Sequence, residues 1–163
     1  MQIEAEQTFT LEFPGTPQEA LAFLRDPARS LAYVRFLRGL SVTQTDAGGP
    51  EVRAVLLVNV PMLGEIDLPL HSRLLHTPQG ATLEAQPLEG ERAWIELNGD
   101  GTAEDRLLRY TFRFTAHIEM PSAEKWGGAA FEKMVRAAAE RTLSRLAHEL
   151  PEGIGQSMTA RPL

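Results

Sequence analysis

Between residues 108 and 119 apolar and polar side chains alternate without a break. Leu108, Tyr110, Phe112, Phe114, Ala116 and Ile118 fall on one side, and Arg109, Thr111, Arg113, Thr115, His117 and Glu119 on the other. A period of two sustained over this length describes a strand with one face in a core and one in water, as in an antiparallel sheet covered on a single side. The amino-terminal segment repeats the pattern, with Ile3, Ala5, Phe9, Leu11 and Phe13 set against Glu4, Glu6, Thr8, Thr10 and Glu12; Gln7 is the one polar residue on its apolar face. Five further strands are expected at residues 40–45, 52–60, 65–74, 81–86 and 92–98, which makes seven. Gly- and Pro-rich turns separate them, and Asn98-Gly99-Asp100-Gly101 reads as another such turn, a hairpin tip. Pro69 has no N–H to give to a ladder, so its strand should lie at an edge or carry a bulge there.

Two helix starts interrupt the strands early. Thr16-Pro17-Gln18-Glu19 has the form of a capping box with Pro at the first helical position, opening a short helix to Leu24. Asp26-Pro27 repeats the device for a second helix that fades near Val34. A third helix, capped by Pro121-Ser122, should run to about Leu150 and be ended by Pro151 and Gly153. At 100° per residue its inward arc carries Phe131, Met134, Val135, Ala138, Ala139, Thr142, Leu143, Leu146 and Leu150. Gly127-Gly128 in its first turns suggests an opening, a close backbone approach, or a helix that begins only after Gly128. The division expected is one domain over residues 1–150 and a polar, Gly-containing tail over residues 151–163, packed on the body or on a second copy of the chain.

Composition narrows the function classes. The 163 residues carry 16 basic and 22 acidic side chains, a net charge of −6, so no field draws a nucleic acid backbone to the chain. With no cysteine, disulfides, thiolate catalysis and Cys-ligated zinc are excluded. No apolar run reaches the length of a membrane span, and the opening residues lack the basic-then-apolar order of a signal peptide, so a cytoplasmic location is expected.

The order of one strand, two short helices, six strands and a long carboxy-terminal helix resembles the START-like superfamily, also called SRPBCC or the helix-grip, birch-pollen-allergen-like fold. Thr16-Pro17-Gln18-Glu19-Ala20 before Phe23-Leu24 is similar to that superfamily's helix caps, and so is Asp26-Pro27-Ala28-Arg29 followed by Leu37-Arg38-Gly39-Leu40. The resemblance covers residues 1–150 and points to an uncharacterised bacterial branch. It implies an α+β helix-grip fold: a curved seven-stranded antiparallel sheet, two short helices after strand one, and a long carboxy-terminal helix laid across the sheet. Such a sheet and helix do not always close the gap between them with side chains, so an apolar cavity is expected there. The small residues Ala138, Ala139 and Thr142 would leave the space, unless Phe9, Phe13, Tyr110, Phe112 and Phe114 fill it.

Candidate chemistry is sparse. His71 and His76 point to opposite faces of one strand, and His117 and His148 lie on polar flanks, so no metal site or cofactor is expected. Ser72 and His76 share a face but stand about 13 Å apart at the rise of a strand, too far for a nucleophile and its base. Glu65 and Asp67 share a polar face with Arg73, which suits a solvated surface better than paired-carboxylate catalysis. The inward polar residues remain: Gln7, Ser72, His76, Tyr110 and Thr142. With Phe112 and Ala138 they form the candidate ligand-binding set, in which a phenol such as Tyr110 combines apolar bulk with a hydrogen-bond donor. Trp94, Trp126 and Tyr33 are candidates for the rim. Three functions suit such a pocket: non-enzymatic binding or transport of an apolar small molecule or lipid, a polyketide cyclase- or hydratase-like reaction using Tyr110 or His76, or a protein-interaction module with a vestigial cavity. The tail offers a possible contact for a homo-oligomer.

Overall fold

A computed structural model describes residues 1–45, 48–119 and 128–160. Strand β1 (Gln2–Glu12) leads into α1 (Pro17–Leu24) and the single turn α2 (Pro27–Ser30). Strands β2 (Leu37–Thr43), β3 (Glu51–Val60), β4 (Gly64–Thr77), β5 (Gly80–Ala85), β6 (Ala93–Glu104) and β7 (Leu107–Ile118) follow, and α3 (Ala129–His148) and α4 (Leu150–Thr159) complete the chain. The strands form one antiparallel sheet in the order β1-β7-β6-β5-β4-β3-β2, so β1 closes on the last strand and every other neighbour is sequential. Helices α1, α3 and α4 bury apolar residues in one core with the inner face of the sheet, and α2 buries Pro27 and Ser30: the expected helix-grip architecture.

Local chemistry sets the helix starts. Thr16 accepts from the Glu19 N–H at 3.1 Å while the Glu19 carboxylate accepts from the Thr16 N–H, a complete capping box with Pro17 behind it. Asp26 caps α2 through the Arg29 N–H. These caps fix where α1 and α2 leave the sheet, each worth about 1 kcal/mol.

Pro69 has a ladder partner, Val55, on one side only, because β5 pairs with β4 from Ser72 onward. β4 is therefore an edge at Pro69 although it is interior further along, so no strand on that side is deprived of a donor by the missing N–H.

Three expectations are corrected. Asn98-Gly99-Asp100-Gly101 is not a hairpin tip; it lies within β6, with Gly99 opposite Phe112 and Gly101 opposite Tyr110, and the turn comes at Asp105, whose φ is 54°. Turn-like composition was outweighed by packing: a Cβ on Gly99 would lie 3.1 Å from the Phe112 ring, and one on Gly101 3.1 Å from Leu24. Second, residues 150–159 are not a polar tail. Pro151 occupies the first turn of α4, where its missing N–H costs nothing, and Leu150, Ile154, Ser157 and Met158 are buried. Gly153 permits this docking, since a Cβ there would come within 3.0 Å of the Tyr33 carbonyl oxygen and of Val34. Third, Met134 is 58% exposed; the buried arc of α3 is Val135, Ala138, Ala139, Thr142, Leu143 and Ala147. α3 begins directly after Gly128, which has φ 74°, a conformation suited to a residue without a side chain. The expected cap at Pro121-Ser122, Trp126 and Gly127 lie outside the described residues.

Candidate functional site

The inner face of the sheet is closed differently at its two ends. Under α3, a void of only about 10 Å³ remains between Ile3, Val58, Val60, Leu68, Ala116 and Ile118 of the sheet and Ala139, Thr142 and Leu143 of the helix. That is scarcely room for one water. Under α1 and α2, a partly open recess of about 30 Å³ is walled by Leu24, Pro27, Ser30 and Leu31 on the helical side and by Leu74, Ala81 and Leu83 of β4 and β5. Its floor is the β6 backbone at Gly99, Asp100 and Gly101 with Tyr110 and Phe112 of β7.

Glycine makes this floor. On β6 the inward residues run Ile95, Leu97, Gly99, Gly101, so the strand carries side chains into the core for half its length and then presents bare backbone. Leu24, at the end of α1, rests in the notch that a side chain at position 101 would fill. Arg25 holds α1 down, donating from Nε to the Gly80 carbonyl oxygen at 2.9 Å and from Nη2 to that of Thr77. It thereby ties the helical wall to the β4–β5 turn.

Tyr110 is the polar group of the recess. It is 5% exposed, stacks on Phe9 at 5.3 Å and on Phe112 at 5.6 Å, and its hydroxyl is buried with no hydrogen-bond partner among the described residues. An unpaired buried hydroxyl costs about 1–3 kcal/mol. Burial also pushes its ionisation far above the ordinary phenol range, so the group is a neutral donor. Ser30 adds a second buried hydroxyl-bearing side chain. The Asp100 carboxylate belongs to the outer surface, where it accepts from Arg113 at 3.1 Å and from Thr82 at 3.2 Å.

The remaining candidates scatter. Ser72 is fully buried, but its Oγ donates to the Leu97 carbonyl oxygen at 2.7 Å, bridging β4 and β6 at the last β4–β5 pair, beyond the end of the β5–β6 ladder. Its hydroxyl is used by the fold. Thr142 donates to the Ala138 carbonyl oxygen at 3.1 Å, and both belong to the filled end under α3. Gln7 is half-buried opposite Phe112 on β1 and does not line the recess. His76 is exposed, contrary to its expected inward position, because β4 leaves the core after Leu74. Of the seven residues, the structure brings Tyr110 and Phe112 together at the recess. Sequence reasoning missed Leu24, Ser30, Leu31 and the two glycines. The available signal was the i, i+2 spacing of Gly99 and Gly101, which puts two absent side chains on one face of a strand.

A family described as "Protein of unknown function (DUF3809)" has a profile matching residues 8–148. The chain belongs to this family. No curated protein matches its sequence. Solved structures share its fold. The di-domain ARO/CYC BexL from the BE-7585A biosynthetic pathway aligns with a TM-score of 0.57 and 15% identity, over 98% of this chain and 52% of its own. This chain thus spans about half the length of BexL. Zhui aromatase/cyclase from Streptomyces sp. R1128 aligns at 0.52 and 13% identity, over 96% of this chain and 94% of its own. A START superfamily protein from Mycobacterium smegmatis aligns at 0.53 and 12% identity, over 94% and 97%. At such identities the likeness is one of fold alone, the helix-grip fold.

Proposed function

We propose that the protein binds an uncatalysed cargo, an apolar small molecule or lipid acyl chain, in the recess between the sheet and α1–α2. The observation that carries this reading is the buried Tyr110 hydroxyl, left without a partner beside an apolar recess with a glycine floor. This recess is favoured over the expected site between the sheet and α3 because it is the roomier of the two voids, about 30 Å³ against about 10 Å³, and Tyr110 with its unpaired hydroxyl lines it. Ligand pockets measure about 300–1,000 Å³, so uptake requires the recess to widen. α1 and α2 are the wall outside the hydrogen-bonded sheet, and withdrawal of Leu24 from the Gly101 notch would widen the recess.

A cyclase- or hydratase-like enzyme has less support. His76 stands outside the recess, burial holds the Tyr110 phenol in its protonated form so that it is no base near neutral pH, and Asp100 is engaged by Arg113 and Thr82. Native mass spectrometry after mild purification tests the binding reading. A co-purified apolar molecule, or saturable uptake of the uncharged dye Nile red, supports it. Neither a bound molecule nor dye uptake would leave the interaction module with a vestigial cavity as the reading to pursue.

A further inference from the structure

We infer that the recess selects uncharged ligands bearing a hydrogen-bond acceptor, such as a ketone or an ester, and rejects fatty acids and other carboxylates. This deepens the binding reading above and rests on it. The walls contributed by Leu24, Leu31, Leu74, Leu83 and Phe112 are hydrocarbon, and the polar side chains turned to the core are the hydroxyl groups of Tyr110 and Ser30. The nearby cation, Arg25, is committed to two backbone carbonyl oxygens at the β4–β5 turn and is not among the lining residues. Asp100 reaches the lining, yet its carboxylate is held on the outer surface by Arg113 and Thr82.

A ligand carboxylate drawn into this space would exchange its hydration for at most two neutral donors and no partner charge, which is strongly unfavourable. A carbonyl oxygen makes no such demand. It also supplies the acceptor that the Tyr110 hydroxyl lacks, so ligand and protein each satisfy a group that is otherwise buried unpaired. Phe112, stacked 13° from the plane of Tyr110, sets a flat hydrocarbon surface beside that donor.

Four probes of one shape separate the possibilities: naphthalene, 2-acetylnaphthalene, 2-naphthamide and 2-naphthoate, each titrated into the whole protein at neutral pH and followed by probe fluorescence. The ketone and the amide should bind more tightly than naphthalene, and the carboxylate at least about tenfold more weakly than the amide. Tyr110→Phe should reduce ketone affinity roughly three- to tenfold while naphthalene binding is unchanged or improved. Naphthoate binding as tightly as naphthamide, or a ketone advantage that survives Tyr110→Phe, overturns the inference while leaving the protein a binder. Failure of all four probes, with no Nile red uptake, removes the binding reading itself.

Discussion

The α3 end and the α1–α2 end of the inner face are built on the same sheet and close in opposite ways. At the α3 end the small residues Ala139 and Thr142 do not leave a ligand-sized space; they let the helix settle onto Ile3, Val58, Val60 and Ala116 until about 10 Å³ remains, with Ala138 buried on the same helix. At the α1–α2 end the missing side chains are on the sheet, at Gly99 and Gly101, whose backbone is fixed by its β5 and β7 ladders and cannot follow. A small residue on a mobile element is filled by approach, while a small residue on a fixed element leaves a recess or must be plugged from outside. Leu24 is the plug.

The contrast breaks most visibly at α4, which packs against α2 and so buttresses the helical wall. Ile154 is fully buried, and Ile154→Ala should cost about 2–5 kcal/mol in a denaturant melt. Faster Nile red exchange in the same variant would show that the wall rests on α4. A change below about 0.5 kcal/mol, the range of ordinary surface substitutions, would mean that residues 150–159 do not belong to the core. Ala138→Phe probes the filled end. Overpacking there should cost about 1–3 kcal/mol and leave dye uptake in the recess intact. Loss of uptake without loss of stability would move the ligand site back beneath α3. Gly101→Val should act the other way round. Its first contact is the flexible Leu24 side chain, 3.1 Å from the added Cβ, so the melt should shift less than in Ala138→Phe while dye uptake is abolished.

Which parts were legible in the sequence follows the same division. Period-two alternation in residues 108–118 and the capping box at Thr16-Glu19 are local patterns, and both elements lie where that local chemistry puts them. The recess was not legible because it depends on which of two elements yields. Asn98-Gly99-Asp100-Gly101 has turn composition, and only Leu24, more than seventy residues earlier in the chain, converts it into a strand with a notch. The helix α4 failed for a related reason. Pro151 and Gly153 read as helix terminators, yet Pro151 starts a new helix and Gly153 is required by the Tyr33–Val34 backbone lying against it. Ser72 and Thr142 were correctly read as buried polar groups, but alternation cannot tell a hydroxyl satisfied by Leu97 or Ala138 from one awaiting a ligand, as at Tyr110.

The smallest expected effect concerns that last distinction. Tyr110→Phe removes a hydroxyl that is unpaired in the free protein, so the variant should be equal to or more stable than wild type near neutral pH, where loss of a satisfied hydrogen bond would cost about 0.5–1.5 kcal/mol. The pH dependence fixes the sign independently. Burial raises the folded-state pKa of Tyr110 above its unfolded value of about 10. The unfolded phenol therefore ionises first, and stability present below pH 10 is lost as the pH rises from there towards the folded value. Half a unit above the unfolded pKa the loss is about 0.8 kcal/mol, and Tyr110→Phe should lack it. The difference between the two proteins' alkaline limbs, in melts taken from pH 8 to 11, is the quantity to measure. Parallel limbs would show that the Tyr110 hydroxyl is solvated, which would remove the physical reason for a ligand acceptor at that position.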